Sequence, residues 1–469
     1  MTQNTNSKFF LINRSELLER FDTQFYKESF DFTDFIKLSK IATVKGGKRI
    51  PLGLDYSNSE TDFLYLRVAD MNKDNELDYN SLNYISNEVF EILKRYEIVE
   101  NDLAISIAGT IGKILLLKNI PTNKKIILTE NCAKINIKKD IEVLPNYLEL
   151  ILNLPIVQKQ IQLNYIQTTI PKLGLDRVKN LMLPQFPNKK KQADIILFYN
   201  KILNQKQQKE AQAQELIKSI DTYLLNKLGI TLPVKNNTAK SRMFISNFSE
   251  VTSGRLDPDY QNISYKNIIT EIKKSNFPIV DLKNITEVLN SGKTPASYEY
   301  SEEETDSPII KVGSYTNDFI NLEKVDFVLN KQRLIAQKGD IFILSAAHQS
   351  EYVGRHIKML NEEPKIETSY VGELICVRAN EKVNSIFLFS LLKTDIYKTL
   401  INREKTGQTS HVYGKDLKKI PIPLPNKQIQ DKISEHINEI QEEIKTLQAD
   451  AKRILDEAKQ KVEKMIIGN

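Results

Sequence analysis

Ser291-Gly292-Lys293-Thr294 ends as a phosphate-binding loop ends, with a lysine and a hydroxyl placed to meet phosphate oxygens. The loop also needs an opening glycine at position 287, where the chain has Glu287, so the phosphate cradle is incomplete. Pro258-Asp259 followed by Glu271-Ile272-Lys273 has the spacing of a PD…ExK nuclease. There Asp259 and Glu271 would share a metal ion on adjoining strands, with Lys273 beside them. Yet Tyr265 to Lys274 reads as a helix, and the first half of the chain has no matching pair. No GxSxG elbow, HExxH motif or Asp/Asn-Pro-Pro-aromatic stretch occurs. The histidines His348, His356, His411 and His436 lack ligand spacing. His436 falls in a long helical run and reads as a helix-surface residue. His348 and His411 fall in polar loops where contact with DNA is open. Cys132 and Cys376 lie in apolar, alternating stretches, which predicts core thiols in a reducing compartment.

What remains is a set of loops rich in Lys, Arg, Gln, Thr, Ser and His, and these occur twice. Such side chains donate to phosphates and read base edges: Arg or Lys suits guanine, Gln suits adenine, Thr or Ser several partners. Lys45-Gly46-Gly47-Lys48-Arg49-Ile50-Pro51 answers Ser291-Gly292-Lys293-Thr294-Pro295. Gly109-Thr110-Ile111-Gly112-Lys113 answers the run from Ala347 to Arg355. Gln167-Thr168-Thr169-Ile170-Pro171-Lys172 answers Thr406 to Tyr413. Glycine in the first pair predicts a turn or a close backbone approach.

The elements that position these loops are duplicated too. Phe63–Val68 matches Pro308–Val312, and Asn101–Ala108 matches Gly339–Ala346. These runs are short, apolar and bounded by turn residues, so they predict largely buried strands. Strands near Cys132 and Cys376 lead into predicted helices, Asn146 to Leu163 and Asn384 to Ile401. Each half then closes on a proline-rich strip, Leu183-Pro184-Gln185-Phe186-Pro187 and Pro421-Ile422-Pro423-Leu424-Pro425. A long polar helix follows each strip, opening at Asn188 and at Asn426. In the second, Ile433, Ile437, Ile440, Ile444, Leu447, Ala451, Ile454 and Ala458 alternate steps of four and three, the seam of a coiled coil. In the first, Ile195, Tyr199 and Ile202 keep register, Lys206 and Lys209 break it, and Ala213, Leu216, Ile220 and Tyr223 resume it. Either each helix packs on its own domain, or the two pair with each other. The predicted boundaries are 1–187 for the first domain, 188–229 for its helix, 230–250 for a linker, 251–425 for the second domain and 426–469 for its helix.

Composition is that of an ordinary globular chain. A net charge of +6 spread over 469 residues permits nucleic-acid binding without demanding it. The polar start, Met1 to Lys8, lacks a secretory pattern, and no apolar run reaches membrane-span length, so a cytoplasmic location is expected.

In this order and duplication the motifs resemble the specificity subunits of type I restriction–modification systems. The residues that carry the resemblance are Arg255-Leu256-Asp257-Pro258-Asp259-Tyr260 and Gly46-Gly47-Lys48-Arg49-Ile50-Pro51. With them go Ile111-Gly112-Lys113, and Pro421 to Pro425 followed by Gln430-Asp431-Lys432-Ile433. In the first copy Phe21 and Thr23 stand where the second has leucine and proline. The resemblance implies an α/β (α+β) chain with two target recognition domains, each built on twisted β-sheets. Two long helices forming an antiparallel coiled coil would separate them. It implies a double-stranded DNA partner with a bipartite target, and two modification (methyltransferase) subunits carrying S-adenosylmethionine. Restriction (translocase/nuclease) subunits using ATP and Mg would complete the assembly. The chain itself would hold no cofactor or metal and have no catalytic residue. Base reading is expected from Lys48, Arg49, Thr110, Lys113, Gln167, Thr168 and Lys172 in the first half. In the second it is expected from Lys293, Thr294, His348, Gln349, Arg355, Gln408, Thr409 and His411. The alternatives are a self-contained metal-dependent nuclease and a specificity protein of another defence assembly.

Overall fold

The computed structural model describes residues 32, 34–71, 77–164, 171–231, 255, 258–316, 318–347, 349–407 and 410–467, without the side chains of 258–259. The chain forms two compact units, one of Met1–Gln208 with Asp450–Asn469, the other of Lys209–Ala449.

The first unit is built on two four-stranded sheets. The first sheet has the order β2 (Ala42–Gly46), β9 (Cys132–Ile137), β6 (Leu103–Ser106), β7 (Ile114–Leu116), all antiparallel. The second has the order β4 (Asn83–Tyr84), β3 (Phe63–Leu66), β8 (Lys125–Leu128), β5 (Glu97–Ile98), in which β3 and β8 run parallel. Successive side chains of a strand point to opposite faces. Leu103 and Ile105 therefore enter one core with Tyr147, Leu148 and Ile151, while Ala104 enters another with Leu64, Leu66 and Leu128. Because β6 is covered on both faces, it is a continuous apolar run. A two-stranded ribbon, β1 (Phe35–Lys37) against β10 (Met182–Pro184), accepts a proline because it has free edges.

The second unit repeats the plan. Its first sheet is β12 (Thr286–Ser291), β19 (Leu374–Ala379), β16 (Ile341–Leu344), β17 (Ile357–Met359). Its second is β13 (Tyr300–Ser301), β15 (Asp326–Val328), β14 (Pro308–Ile310), β18 (Ser369–Tyr370), with β14 and β18 parallel. Here Ile341 and Ile343 face the helices, and Phe342 and Leu344 face the second sheet. Ribbon β11 (Ile279–Asp281) with β20 (Pro421–Pro423) answers the first ribbon. The copies differ at both edges of the second sheet: β13 lies outside β15, where the first unit ends at β4. A single bridge, Ile335 to Ser369, stands where the first unit has β5.

The helix after the first sheet is split in both units. Residues 146–163, expected as one helix, form α1 (Pro145–Leu152) and α2 (Pro155–Asn164). Pro155 lacks an N–H and starts the second piece. Long helix α3 (Lys189–Leu228) follows β10. In the second unit, after α4 (Ile263–Lys273), residues expected as one helix form α5 (Ser385–Lys393) and α6 (Asp395–Arg403). Thr394 between them is extended, at φ −62° and ψ 150°, and its hydroxyl donates to the Leu391 carbonyl. The second long helix is α7 (Lys427–Ile467).

Both long helices start alike. Asn188 and Asn426 cap them, each side-chain oxygen accepting the N–H three residues on, from Lys191 at 3.0 Å and Ile429 at 3.1 Å. One turn in, a buried glutamine ties each helix to its own unit. Gln192 accepts from Leu144 N–H (2.9 Å) and donates to the carbonyls of Glu142 (3.0 Å) and Pro187 (2.8 Å). Gln430 accepts from Asn384 N–H (2.7 Å) and donates to those of Lys382 (3.1 Å) and Pro425 (2.8 Å).

Within the first unit the start of α3 packs with the end of α7, through Ile195, Phe198, Val462 and Ile466. Within the second, the end of α3 packs with the start of α7, through Leu224, Leu225, Leu228, Ile433 and Ile437. The helices thus run in opposite directions. Ile195, Ala213, Ile433, Ile437, Ile444, Ala451 and Ala458 are buried. Tyr199, Ile202, Leu216, Ile220, Tyr223, Ile440, Leu447 and Ile454 are half-buried, as are Lys206 and Lys209. His436 is not simply a helix-surface residue: its ring centroid lies 4.3 Å from that of Tyr223. The expected linker falls largely on 232–250, outside the described residues.

Candidate nucleic-acid interface

In the first unit the loops that follow β2, β6 and β8 meet the stretch before Leu173. The contact starts at Gly47, whose N–H bonds the Cys132 carbonyl at 2.9 Å. A Cβ on Gly47 would sit 2.1 Å from the Thr129 carbonyl oxygen, so only glycine allows this approach. Lys48 is then pinned by its backbone, its N–H on Leu128 O and its carbonyl on the Tyr65 hydroxyl. The side chains of Lys48 and Arg49 are left exposed. Asn131 O accepts from Ile107 N–H, and Ala108 makes an antiparallel bridge to Lys172. Exposed Thr110 and Lys172 therefore stand on loops that adjoin the one carrying Lys48 and Arg49.

Arg49 Nε reaches Glu130 Oε1 at 2.6 Å. Burial opposes ionisation of Glu130, but hydrogen bonds from Arg49, its own backbone and Thr129 outweigh it and hold the carboxyl below its ordinary value. Tyr65, beneath them, is pushed up to about 12, first by burial. Lys113 departs from expectation. Its ammonium donates to the Met71 carbonyl at 2.9 Å, so it braces the loop from inside instead of facing a phosphate. Gln167 and Thr168 lie outside the described residues.

The second unit builds the same ridge from other residues. A Cβ on Gly292 would lie 2.0 Å from Tyr370 O, and Lys293 N–H bonds that same oxygen at 3.2 Å. Lys293 is exposed. Thr294 is engaged: its hydroxyl donates to Glu373 Oε2 (2.8 Å) and accepts from Gly372 N–H (3.0 Å), so it clamps two loops together. Glu373 O accepts from Ser345 N–H, Ser345 O accepts from Val412 N–H, and Ala346 bridges His411. Gln349 and Arg355 are exposed on the neighbouring loop, which Asn402 holds through the Ser350 and Val353 carbonyls. The His411 ring stacks on Tyr413, centroids 6.2 Å apart. His348, Gln408 and Thr409 lie outside the described residues. Glu130 and Glu373 belong to these ridges but escaped sequence reasoning. Their only signal was a place just before β9 and β19.

Buried carboxylates lie at the far end of the central strands. Asp340 takes both arms of Arg378 at 2.7 Å, and Asp102 meets Lys134 at 3.5 Å and bonds Asn136. These acids hold the fold. Of the nuclease pattern, Glu271 lies on α4, not on a strand, and pairs with Lys274 at 2.7 Å. The side chain of Asp259 is outside the described residues. No group of three His, Cys, Asp or Glu suited to a metal occurs among the described residues.

A family model described as the type I restriction modification DNA specificity domain matches residues 274–454. That stretch takes in β11 to β20 and the first part of α7 and is similar to the DNA specificity domain of type I systems. The specificity subunit of the type I restriction enzyme EcoBI from Escherichia coli is 28% identical over 131 residues, 28% of this chain and 26% of that protein. The match thus spans about a quarter of that relative's length. A chain from a structure on complex assembly and conformational transition of the type I R-M system covers 92% of this chain and 96% of itself, at 14% identity and a TM-score of 0.51. That likeness shows the fold. The S subunit of a type I system from M. genitalium covers 91% and 95%, at 16% identity and a TM-score of 0.40. The resemblance to type I specificity subunits is borne out. Among the described residues no helix is long and apolar enough to cross a membrane.

Proposed function

We propose that this chain is the DNA-recognition subunit of a type I restriction–modification complex, each unit reading one half of a bipartite duplex target. The observation that carries this reading is the ridge of adjoining loops, built twice on one scaffold and presenting Lys48, Arg49 and Lys172 in one copy, Lys293 and Arg355 in the other. Exposed cations supply sequence-independent phosphate affinity, and neighbouring polar side chains supply base readout. The match of residues 274–454 to a DNA specificity domain supports the assignment.

In this reading the chain is non-catalytic. Two modification subunits bring S-adenosylmethionine, and restriction subunits bring ATP and Mg. The long helices serve as spacer and scaffold. An open groove of about 700 Å³ on α3, lined by Leu197, Phe198, Asn200 and Lys201 among others, supports docking of a partner there. Leu197 is 72% exposed in it.

Methylation-sensitive sequencing of the host genome, with and without an intact copy of this gene, tests the proposal. A gapped, two-part methylated motif should vanish when the gene is disrupted. Persistence of every motif, or metal-dependent cleavage by the purified chain alone, would overturn it.

A further inference from the structure

Each unit thrusts one bare apolar side chain from the same loop. Leu52 and Tyr298 are the most exposed large hydrophobic residues among those described, at 106% and 81% of their reference areas. Leu52 lies shortly after Gly47, and Tyr298 shortly after Gly292. Single exposed apolar residues are common on proteins and mean nothing by themselves. These two stand at equivalent places in a duplicated loop, and the loop is built to present them.

In the first unit Leu54 N–H bonds Pro51 O at 3.1 Å, closing a tight turn with Leu52 and Gly53 at its corners. Gly53 has φ +90°, which a side chain would strain. On either side Ile50 and Leu54 pack onto the core of Tyr65, Ile85, Val89 and Phe90. The chain is thus anchored at both ends and Leu52 points away from the anchors. In the second unit Pro295 is buried and Tyr300 packs on the core of Ile309 and Val328. Between them a helical turn, Ser297–Glu299, carries Tyr298, locked by Glu299 accepting from Ala296 N–H at 2.7 Å. The two turns differ in type and in sequence. What they share is two inward anchors, one outward apolar residue and exposed lysine a few residues before it, Lys48 or Lys293.

We infer that Leu52 and Tyr298 are apolar probes that enter a groove of duplex DNA and press on the bases of the half-site, each acting for its own unit. The inference rests on the reading of the two units as DNA-recognition heads. At Leu52 the charge favours a polyanion over a protein's apolar surface, since exposed Lys48 precedes it beside Arg49, which shares its charge with Glu130. At Tyr298, Lys293 precedes but Glu299 and Glu302, Glu303 and Glu304 follow, so the same occupant is assigned there by the equivalent place in the duplicated loop. Against a duplex, an apolar side chain gains by contact with a thymine methyl or by wedging into a base step, and a leucine or a tyrosine can do either. Neither side chain supports the fold, so its removal leaves the heads intact.

The test uses the full chain assembled with its modification subunits, and duplexes carrying the motif found by methylation sequencing. A 2-aminopurine is placed in turn at each step of each half-site to report unstacking. Leu52→Ala should weaken binding by about tenfold and reduce the signal in one half-site only, and Tyr298→Ala should do the same in the other. Leu52→Met and Tyr298→Phe should restore both. Melting temperatures should match the parent chain throughout. Wild-type affinity and signal in both alanine variants would overturn the inference while leaving the recognition function standing. Failure of the unaltered assembly to select the motif would instead overturn the function on which it rests.

Discussion

Gly47 and Gly292 do the same work by the same means: each lets the backbone lie on a carbonyl that any Cβ would strike. Gly47→Ala and Gly292→Ala should each cost about 1–3 kcal/mol, since the neighbour that must give way is main chain. Denaturant melts should show the first change in one unit and the second in the other. Loss in both units from either change would mean that the loop is not held locally. His356 supplies a pH dependence. Burial first, then Lys358 and Lys398, lower its pKa below the ordinary 6.5. The folded chain therefore binds this proton less readily than the unfolded one. Stability from the neutral ring is complete above pH 6.5 and drains away as pH falls through the folded value. His356→Gln should flatten that part of the stability profile. An unchanged slope would assign the pH dependence to other groups.

At the scale of elements, much is legible in the sequence. The apolar runs at Leu103–Ser106 and Ile341–Leu344 read as buried strands because both faces are covered, and the long helices read from the proline-rich strips before them and from the seam. The split of each shorter helix was not legible, although Pro155 marks one of the breaks. Nor was the use of Lys113 and Thr294, since a lysine or threonine in a polar loop looks the same whether it faces solvent or a carbonyl. The duplicated glutamine was visible but mute: Gln192 and Gln430 are one turn past a capping asparagine, and only the fold reveals what they hold. Replacing Gln430 by alanine strands the Asn384 N–H and two carbonyls, for about 1–3 kcal/mol. Calorimetry on Gln192→Ala and Gln430→Ala should find a similar loss for each. A negligible loss in either would show that water replaces the clamp.

At the scale of the whole molecule, the proposed role of the long helices is to set the gap between half-sites. Helix α3 has 40 residues and α7 has 41. Each spans about 60 Å at ~1.5 Å per residue. Adding one turn near Lys206 and Lys209 extends α3 by ~5.4 Å, against a base-pair rise of ~3.4 Å. The methylated motif should then keep both half-sites and gain about one or two base pairs between them. An active variant with the original gap would locate the spacing in the modification subunits.

The make-up of the first unit also bears on the order of synthesis. Its body includes Asp450–Asn469, where Glu463 accepts from the Ile156 N–H and Val462 joins the core beside Ile195. Those residues leave the ribosome after every residue of the second unit. The half that is translated first is therefore finished last, and it waits with the face around Ile195 uncovered while the other half folds. A stop codon after Ala449 would accordingly injure the head at the opposite end of the gene and spare the one beside it. Limited proteolysis of such a product should open the first unit and leave the second resistant.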